Sequence, residues 1–264
     1  MCRTGDHHCI AFTLLFPELI PTLGVAVTTM LSLNRRAVAE GIGTSLLLAT
    51  VVGSGIMGER LASGNTGLAL LANTVATGAS LVALILAFGP ISGAHFNPAV
   101  TLVDAWQKGI AWNDVPVYIG MQVVGAFVGV ASANLMFGLP LLFVSTKVRY
   151  GPRQWFSEFV ATFGLLSIIW GCARLRSQAV PFAVGAYITA AYWFTASTSF
   201  ANPAVTLARS ASDTFAGIRP IDTPPFIVAQ LVGAVAATFL FKWLVPPLPQ
   251  VARAIVVPHD AKSE

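Results

Sequence analysis

Long runs of uncharged residues dominate the pattern of this chain. Six of them, bounded by charged residues or polar turns, cover residues 41–58, 61–94, 115–146, 159–173, 177–208 and 223–241. A helix of about 20 apolar residues crosses the hydrocarbon core of a bilayer, so each run predicts one helical span. The second run is longer than one crossing needs. Its tail, residues 89–94, is rich in Gly, Pro and Ser and is predicted to be a loop.

One six-residue stretch, Asn-Pro-Ala-Val-Thr-Leu, occurs twice, at residues 97–102 and 202–207. Asn is a favoured N-cap, and Pro suits the first helical position because its missing N–H would be unpaired there. Each copy therefore predicts a loop that turns into a helix. The stretch from residue 97 to 104 is uncharged up to its last residue. At roughly 1.5 Å per residue it reaches only about half-way across a bilayer, so it predicts a half-helix.

The two halves of the chain repeat one another. Residues 39–44 are similar to residues 157–162, and residues 117–126 to residues 226–234, with one Asn-Pro-Ala tripeptide in each half. Each half thus holds three spans and one half-helix. Because three is odd, the second half enters the membrane from the opposite side, as in inverted-repeat transporters. The predicted fold is an all-α membrane protein with six transmembrane helices and two re-entrant half-helices.

Composition supports this interpretation and excludes others. Hydrophobic residues make up 55% of the chain and charged residues only 10%, whereas soluble domains carry about 25% charged residues. The net charge of +4 is small and scattered, so no nucleic-acid partner is expected. The three cysteines form no disulfide framework, and no phosphate-binding loop or nucleophile elbow is present. We therefore expect no enzyme, no cofactor and no metal site.

The two half-helices predict the chemistry of the site. Irregular backbone inside a membrane is tolerated only where it is buried in protein or lines a watery cavity. Two helix N-termini, each with partial positive charge, would meet near the midplane beside the Asn97 and Asn202 amides. Such a line of donors and loop carbonyls can pass a small neutral molecule with hydroxyl groups, and it repels cations.

The sequence resembles the aquaporin and aquaglyceroporin family of major intrinsic proteins over about residues 35–245. The resemblance is carried by Ala39-Glu40-x-x-x-Thr44, by residues 92–101, by Ser157-Glu158-Phe159 and by the second Asn-Pro-Ala tripeptide. It implies a six-helix pore in each subunit of a homotetramer. The implied pore motifs are these two tripeptides: Asn97, Pro98, Ala99, Asn202, Pro203 and Ala204.

One departure from the family bears on the solute. Most members place Arg directly after the second Asn-Pro-Ala, and here Val205 occupies that position. Counting without gaps puts the other constriction positions at Thr77, Ala190 and Ser199, so the predicted constriction is small, uncharged and free of aromatic rings. The pore should then be wide enough for glycerol-like polyols and some water. Arg209, one helical turn beyond Val205, is expected at the outer mouth.

The stretch after the second motif, Asn-Pro-Ala-Val-Thr-x-Ala-Arg-Ser, is similar to bacterial members associated with arsenic handling. This resemblance makes arsenous acid, a neutral trihydroxide of glycerol size, the leading predicted solute. It also implies the inner cell membrane. A small excess of Lys and Arg on one side favours cytoplasmic termini.

Several alternatives stay open at this point. Glu40 and Glu158 could carry protons in a secondary transporter, or they could brace the re-entrant loops; Gly93, Ala94 and His95 are assigned to pore lining or loop bracing. His95 could also gate the pore with pH. A third alternative is a structural junction protein with a closed pore.

Three segments describe the predicted organisation. Residues 1–34 form an N-terminal extension that is poorly ordered or wrongly assigned, with Met30 as an alternative start. Residues 35–245 form the aquaporin-like domain, with repeats at 35–138 and 152–245, and residues 246–264 form a polar tail. Cys2, His7, His8 and Cys9 could form a soft-metal trap, although their spacing matches no standard zinc pattern.

Overall fold

The structure, a computed structural model, describes residues 31–175 and 177–244. The predictions for residues 1–30, including the Cys and His cluster, and for residues 245–264 lie outside this part of the chain. Six long helices and two short ones fold in the order α1 Leu33–Leu61, α2 Thr66–Ser92, α3 Pro98–Trp106, α4 Val115–Met136, α5 Pro152–Leu175, α6 Val180–Phe194, α7 Pro203–Arg209 and α8 Thr223–Leu244.

The six long helices are the predicted spans. Five of them are long and apolar enough to cross a membrane. The sixth, α6, has only 15 residues, but the 3-10 turn Ser177–Ala179 precedes it directly. At about 1.5 Å per α-helical residue and about 2 Å per 3-10 residue, the two together reach roughly 28 Å, close to the hydrocarbon thickness. Six crossings place residues 31 and 244 on one face, which we call the terminal face; the other is the opposite face.

Two close helix pairs show the repeat in three dimensions. In the first half α4 packs along α1, and in the second half α8 packs along α5. A Cβ added to Gly125 of α4 would lie 2.2 Å from the carbonyl oxygen of Gly41, and one added to Gly233 of α8 would lie 2.5 Å from that of Phe159. Glycine therefore lets the backbones touch at corresponding places in the two halves.

One local prediction was wrong. Residues 89–92 continue α2 through Pro90, and only Gly93, with φ of 89° and its N–H bonded to the Gly89 carbonyl, ends the helix. Gly and Pro are tolerated in membrane helices because neighbouring groups satisfy the backbone. The turn at Gly93 directs the chain back toward the midplane, where α3 begins.

Candidate functional site

The two short helices begin as the repeated motif predicts. The Asn97 side chain accepts a hydrogen bond from the Ala99 N–H at 2.9 Å, and Pro98 is the first residue of α3. The Asn202 side chain likewise accepts from the Ala204 N–H at 3.0 Å at the start of α7. Both Asn oxygens are therefore committed to capping, and their orientation is fixed.

The same two side chains tie the halves of the protein together. The Asn97 amide nitrogen donates to the Ala201 carbonyl at 2.8 Å, and the Asn202 amide nitrogen donates to the Phe96 carbonyl at 2.7 Å. Each asparagine thus satisfies the residue that precedes the other one. Because an amide group carries two N–H donors, one on each side chain is left over.

The loops that lead into these helices have an unusual backbone. Three residues of each loop adopt positive φ, at the same spacing before the asparagine: Gly93, Ala94 and Phe96 in the first loop, and Thr198, Ser199 and Ala201 in the second. Five of the six are not glycine. A left-handed conformation costs about 1–3 kcal/mol for such a residue and persists only where surrounding contacts impose it. This strain is concentrated around the Asn pair.

Glu40 imposes that conformation on the first loop. Its buried carboxylate accepts hydrogen bonds from the Phe96 N–H at 2.7 Å and the His95 N–H at 3.0 Å. It also accepts from the Ser92 hydroxyl at 2.6 Å and the Gln122 amide at 2.8 Å. Both carboxylate oxygens are therefore occupied by fixed donors.

Glu158 does the same for the second loop. Its fully buried carboxylate accepts from the N–H groups of Phe200 and Ala201, both at 2.9 Å, and from the Gln230 amide at 2.6 Å. Neither glutamate lines the central cavity. This geometry favours bracing of the loops over proton transfer through the carboxylates.

Two glutamines were not singled out from the sequence as functional residues. Besides its glutamate, each donates to a threonine one turn into the half-helix: Gln122 to Thr101 at 2.9 Å and Gln230 to Thr206 at 2.8 Å. The available signal was their matching position in the repeat, since a buried polar residue that recurs in both halves needs a partner in both.

One cavity of about 70 Å³ among the described residues is lined by both asparagines. A water needs about 10–15 Å³ of such space, so the cavity holds several waters or one small solute. Its walls are mostly aliphatic and aromatic. The lining residues are Leu47, Val51, Thr77, Leu81, Ile85, Ala94, His95, Phe96, Asn97, Val100, Leu165, Ile169, Val180, Val184, Ile188, Tyr192, Ser199, Phe200, Ala201, Asn202, Val205 and Arg209.

Three of the four predicted constriction residues line this cavity: Thr77, Ser199 and Val205. All three are buried. The Ser199 hydroxyl oxygen is buried without a hydrogen-bond partner among the described residues. An unpaired buried hydroxyl costs free energy, so a solute hydroxyl that reached it would be favoured.

The fourth predicted residue, Ala190, is wrong. It is on the exposed side of α6, whereas Ile188 and Tyr192 of the same helix line the cavity. The Tyr192 hydroxyl lies 3.3 Å from the Thr77 hydroxyl. Counting back from the motif does not fix the helical face, and a residue two positions from both Ile188 and Tyr192 points to the other side of the helix. The cavity wall therefore includes an aromatic ring beside Thr77, contrary to the predicted ring-free constriction.

Arg209 lies at the C-terminal end of α7 and lines the cavity, with its side chain buried. Its guanidinium carbon is 3.4 Å from the centroid of the Phe200 ring, and its Nε donates to the Ala216 carbonyl. Arginines at helix ends often extend to the lipid interface, and the burial of Arg209 does not fit such a position.

His95 lines the cavity on the side of the terminal face. Its Nδ1 is 3.1 Å from the Thr101 hydroxyl, and its Nε2 is 3.4 Å from a carboxylate oxygen of Asp104. The imidazole is therefore held on both sides.

The remaining predicted site residues are buried around this line. Pro98, Ala99, Pro203 and Ala204 form the first turns of the half-helices and do not contact the cavity, and Gly93 provides the turn before Ala94. Each Asn-Pro-Ala tripeptide thus contributes its asparagine to the cavity, and its Pro and Ala build the helix start.

Comparisons with known proteins agree with this arrangement. The sequence profile of the family described as "Major intrinsic protein" matches residues 27–196 and 152–263. The chain is 57% identical over 221 residues to "Aquaglyceroporin AqpS" of Rhizobium meliloti (strain 1021), covering 84% of this chain and 94% of that protein. It is 32% identical over 216 residues to "Aquaporin NIP6-1" of Arabidopsis thaliana, covering 77% of this chain and 68% of that protein.

A solved structure shows the same fold. The X-ray structure of the aquaglyceroporin from Plasmodium falciparum superimposes with a TM-score of 0.64 at 24% identity, over 82% of this chain and 99% of that chain. Together with the paired Asn-capped half-helices, these matches confirm the resemblance. The chain therefore belongs to the major intrinsic protein family, and it is an integral membrane channel protein and not an enzyme.

Proposed function

We propose that this protein is a passive channel for small uncharged solutes, foremost arsenous acid and glycerol-like polyols, with some water. The observation that carries the proposal is the cavity itself. It passes both capping asparagines, and an uncharged Val205 follows the second Asn-Pro-Ala where most of the family has arginine. The name of the relative AqpS, an aquaglyceroporin, agrees with a polyol-sized solute.

The polar groups of the cavity suit a molecule with several hydroxyls. The spare N–H donors of Asn97 and Asn202 lie at the middle, and the unpartnered Ser199 oxygen and the Thr77 hydroxyl lie toward the opposite face. A triol can use these groups in succession. A site built to bond a hydroxyl discriminates against solutes that lack one, because its buried polar groups are then left unpaired.

The apolar wall opposes those polar groups. Leu81, Ile85 and Val100 are among its members. Such a wall costs a polyol little, because its carbon side can face it, but it gives water no hydrogen bonds in exchange for those it loses. Of the predicted constriction residues, Thr77, Ser199 and Val205 line this cavity, and we propose that these three form the constriction.

The experiment is uptake of radiolabelled arsenous acid and of glycerol into proteoliposomes. The wild type is compared with Val205→Arg and with the uncharged control Val205→Leu. We expect fast, non-saturating uptake that the arginine lowers by about tenfold or more, as if the barrier had risen by about 1.4 kcal/mol, and that leucine changes far less. Uptake no faster than in empty liposomes for both solutes would refute the proposal.

The assembly and placement are proposed on the same basis. A homotetramer with one pore per subunit is tested by native mass spectrometry in detergent, where a monomer alone would contradict it. Cytoplasmic termini in an inner cell membrane are tested by labelling single cysteines placed at exposed positions of the two faces in intact cells. If an impermeant reagent labelled the terminal face in intact cells, the termini would lie outside the cell, and the proposed orientation would be wrong.

A further inference from the structure

Three cationic side chains converge on one short loop at the opposite face. Three consecutive carbonyls each accept a hydrogen bond from one of them: Phe215 from Lys147 at 3.0 Å, Ala216 from Arg209, and Gly217 from Arg149 at 2.8 Å. Lys147 and Arg149 belong to the connection between α4 and α5, and Arg209 belongs to α7. The connection between the two halves thus reaches the mouth of the cavity.

Two of these cations share one aromatic ring. The guanidinium carbon of Arg149 is 4.9 Å from the Phe200 centroid and that of Arg209 is 3.4 Å from it. Arg149 also donates to the Ser197 carbonyl at 3.0 Å. Phe200 lines the cavity and belongs to the re-entrant loop that leads to Asn202. Arg209 therefore lines the path of the solute, and Arg149 holds a second charge against the same ring without lining the cavity itself.

In the described ranges, neither guanidinium forms an ion pair with an acid, and the buried Glu158 carboxylate acts on both of them only from beyond ion-pair distance. Within the described part of the chain, the ion pairs are Arg36–Asp114, His95–Asp104 and Arg219–Asp222, and none includes Arg149 or Arg209. Asp222 is bonded to the backbone N–H of Arg149, at 2.8 Å, and to Arg219. Carbonyl dipoles, a ring face and the C-terminal end of α7 offset the cost of holding the charges. Against the single Glu158 carboxylate, the two guanidinium groups leave a net positive charge at the mouth.

We propose that Arg149, together with Arg209, is a specificity-determining residue that excludes cations, including hydrated protons, and so supplies from the α4–α5 connection the charge that Val205 lacks. This inference rests on the proposed function, since it assigns the selectivity of the same pore. A fixed positive charge at a narrow, low-dielectric mouth raises the barrier for every cation and leaves a neutral solute unaffected.

The uncharged side chain of Val205 leaves a role for positive charge from elsewhere in the chain. With an uncharged side chain there, the nearest fixed cation along α7 is one turn further out, at Arg209. Arg149 comes from the α4–α5 connection. It contacts Ser197 and Phe200 of the second re-entrant loop and Gly217 of the loop after α7, so the two arginines approach the mouth from separate elements.

The test measures two fluxes in the same proteoliposomes. Proton and sodium leak is followed with entrapped dyes under a potassium diffusion potential, and glycerol entry is followed by light scattering. The variants are Arg149→Gln, Arg209→Gln and their combination. Arg153→Gln is the matched control, because Arg153 is an exposed arginine at the same face, at the start of α5.

We expect the double variant to raise cation leak by about tenfold or more and each single variant to raise it less, so that the ratio of cation leak to glycerol entry rises in each variant. Arg153→Gln should match the wild type in both fluxes. A glycerol-permeable double variant with wild-type cation leak overturns the inference. Absence of glycerol entry in the wild type would instead defeat the proposed function.

Charge and hydrogen bonding are separated by Arg149→Lys, which retains the charge but not the guanidinium geometry. It should keep cation leak near the wild-type value even if Arg149→Gln fails to assemble. A leak in Arg149→Lys, in protein that elutes as wild type does in size exclusion, would show that charge at this position is not what excludes cations.

Discussion

The bracing role of Glu158 leads to a sharp prediction for Glu158→Gln. The substitution keeps the size of the side chain and removes its charge. Three donors point at the carboxylate: the N–H groups of Phe200 and Ala201, and the Gln230 amide. The oxygen of the new amide can retain the two donors that share one carboxylate oxygen. Its NH₂ group then faces the Phe200 N–H, which loses its acceptor.

The magnitude follows from these bonds. A hydrogen bond to a charged group is worth about 1.5–3 kcal/mol, so losing one and weakening two to neutral strength costs about 3–5 kcal/mol in all. A change of 1 kcal/mol shifts the melting temperature of a chain of this size by about 2–4 °C. Glu158→Gln should therefore lower the melting temperature by roughly 10 °C. It should also impair glycerol flux, because Asn202 follows the loop that relaxes.

The assay combines thermal unfolding of the protein in detergent with glycerol and arsenous acid flux at two pH gradients. The exposed Glu59→Gln, at the end of α1, is the control and should match the wild type. An unchanged melting temperature would refute the bracing argument. If flux in the wild type followed the pH gradient and flux in Glu158→Gln did not, the proton-coupled transporter would be the better interpretation.

Three further predictions concern the cavity, the helix contacts and the outer loops. Tyr192→Ala removes a ring from the cavity wall and should raise glycerol entry relative to water entry in stopped-flow measurements. Gly125→Ala pushes a Cβ to 2.2 Å from a backbone carbonyl of α1, so the yield of folded protein should fall, whereas Gly120→Ala, with open space around it, should not. A backbone hydrogen bond from Thr146 lowers the pKa of Asp213, so the protection factor of the Thr146 amide, which corrects hydrogen exchange for the intrinsic effect of pH, should fall as the pH drops through this lowered pKa.

The outcomes that contradict these predictions are simple to recognise. A smaller glycerol-to-water ratio in the tyrosine variant would mean that the ring recruits solute and does not restrict it. Equal yields of the two glycine variants would mean that the helices can separate at little cost. For Asp213 the sign is fixed: a carboxyl whose pKa is lowered in the folded state stabilises it above the unfolded pKa, and this is lost as the group is protonated.

Local chemistry explains what could be predicted from the sequence. A capping Asn followed by Pro determines where a helix starts regardless of distant contacts, and α3 and α7 begin at Pro98 and Pro203 as predicted. Long uncharged runs likewise give the spans, because the bilayer thickness sets their length. The repeat then gives the inverted topology by counting crossings.

Features that depend on distances across the fold were missed. The prediction of Ala190 rests on counting across a loop, and such a count does not determine which face of α6 meets the cavity. Arg149 lies in a connection whose sequence has no signal for the pore, and only the folded loop brings it to Phe200. Composition predicts a loop at residues 89–92, but α2 continues through Pro90 because neighbouring groups in a membrane protein can satisfy the backbone that Pro leaves free.

The crossed bonds of Asn97 and Asn202 also bear on how the protein is made. The Phe96 carbonyl has its partner at residue 202, so the first re-entrant loop cannot complete its hydrogen bonds until the second half has been synthesised and inserted. Ribosomes deliver the N-terminal half first. The first three spans must therefore wait in the bilayer with an unfinished loop, and the two half-helices lock together in one step. The conducting path is then a late product of biogenesis, and a chain truncated before residue 202 has none.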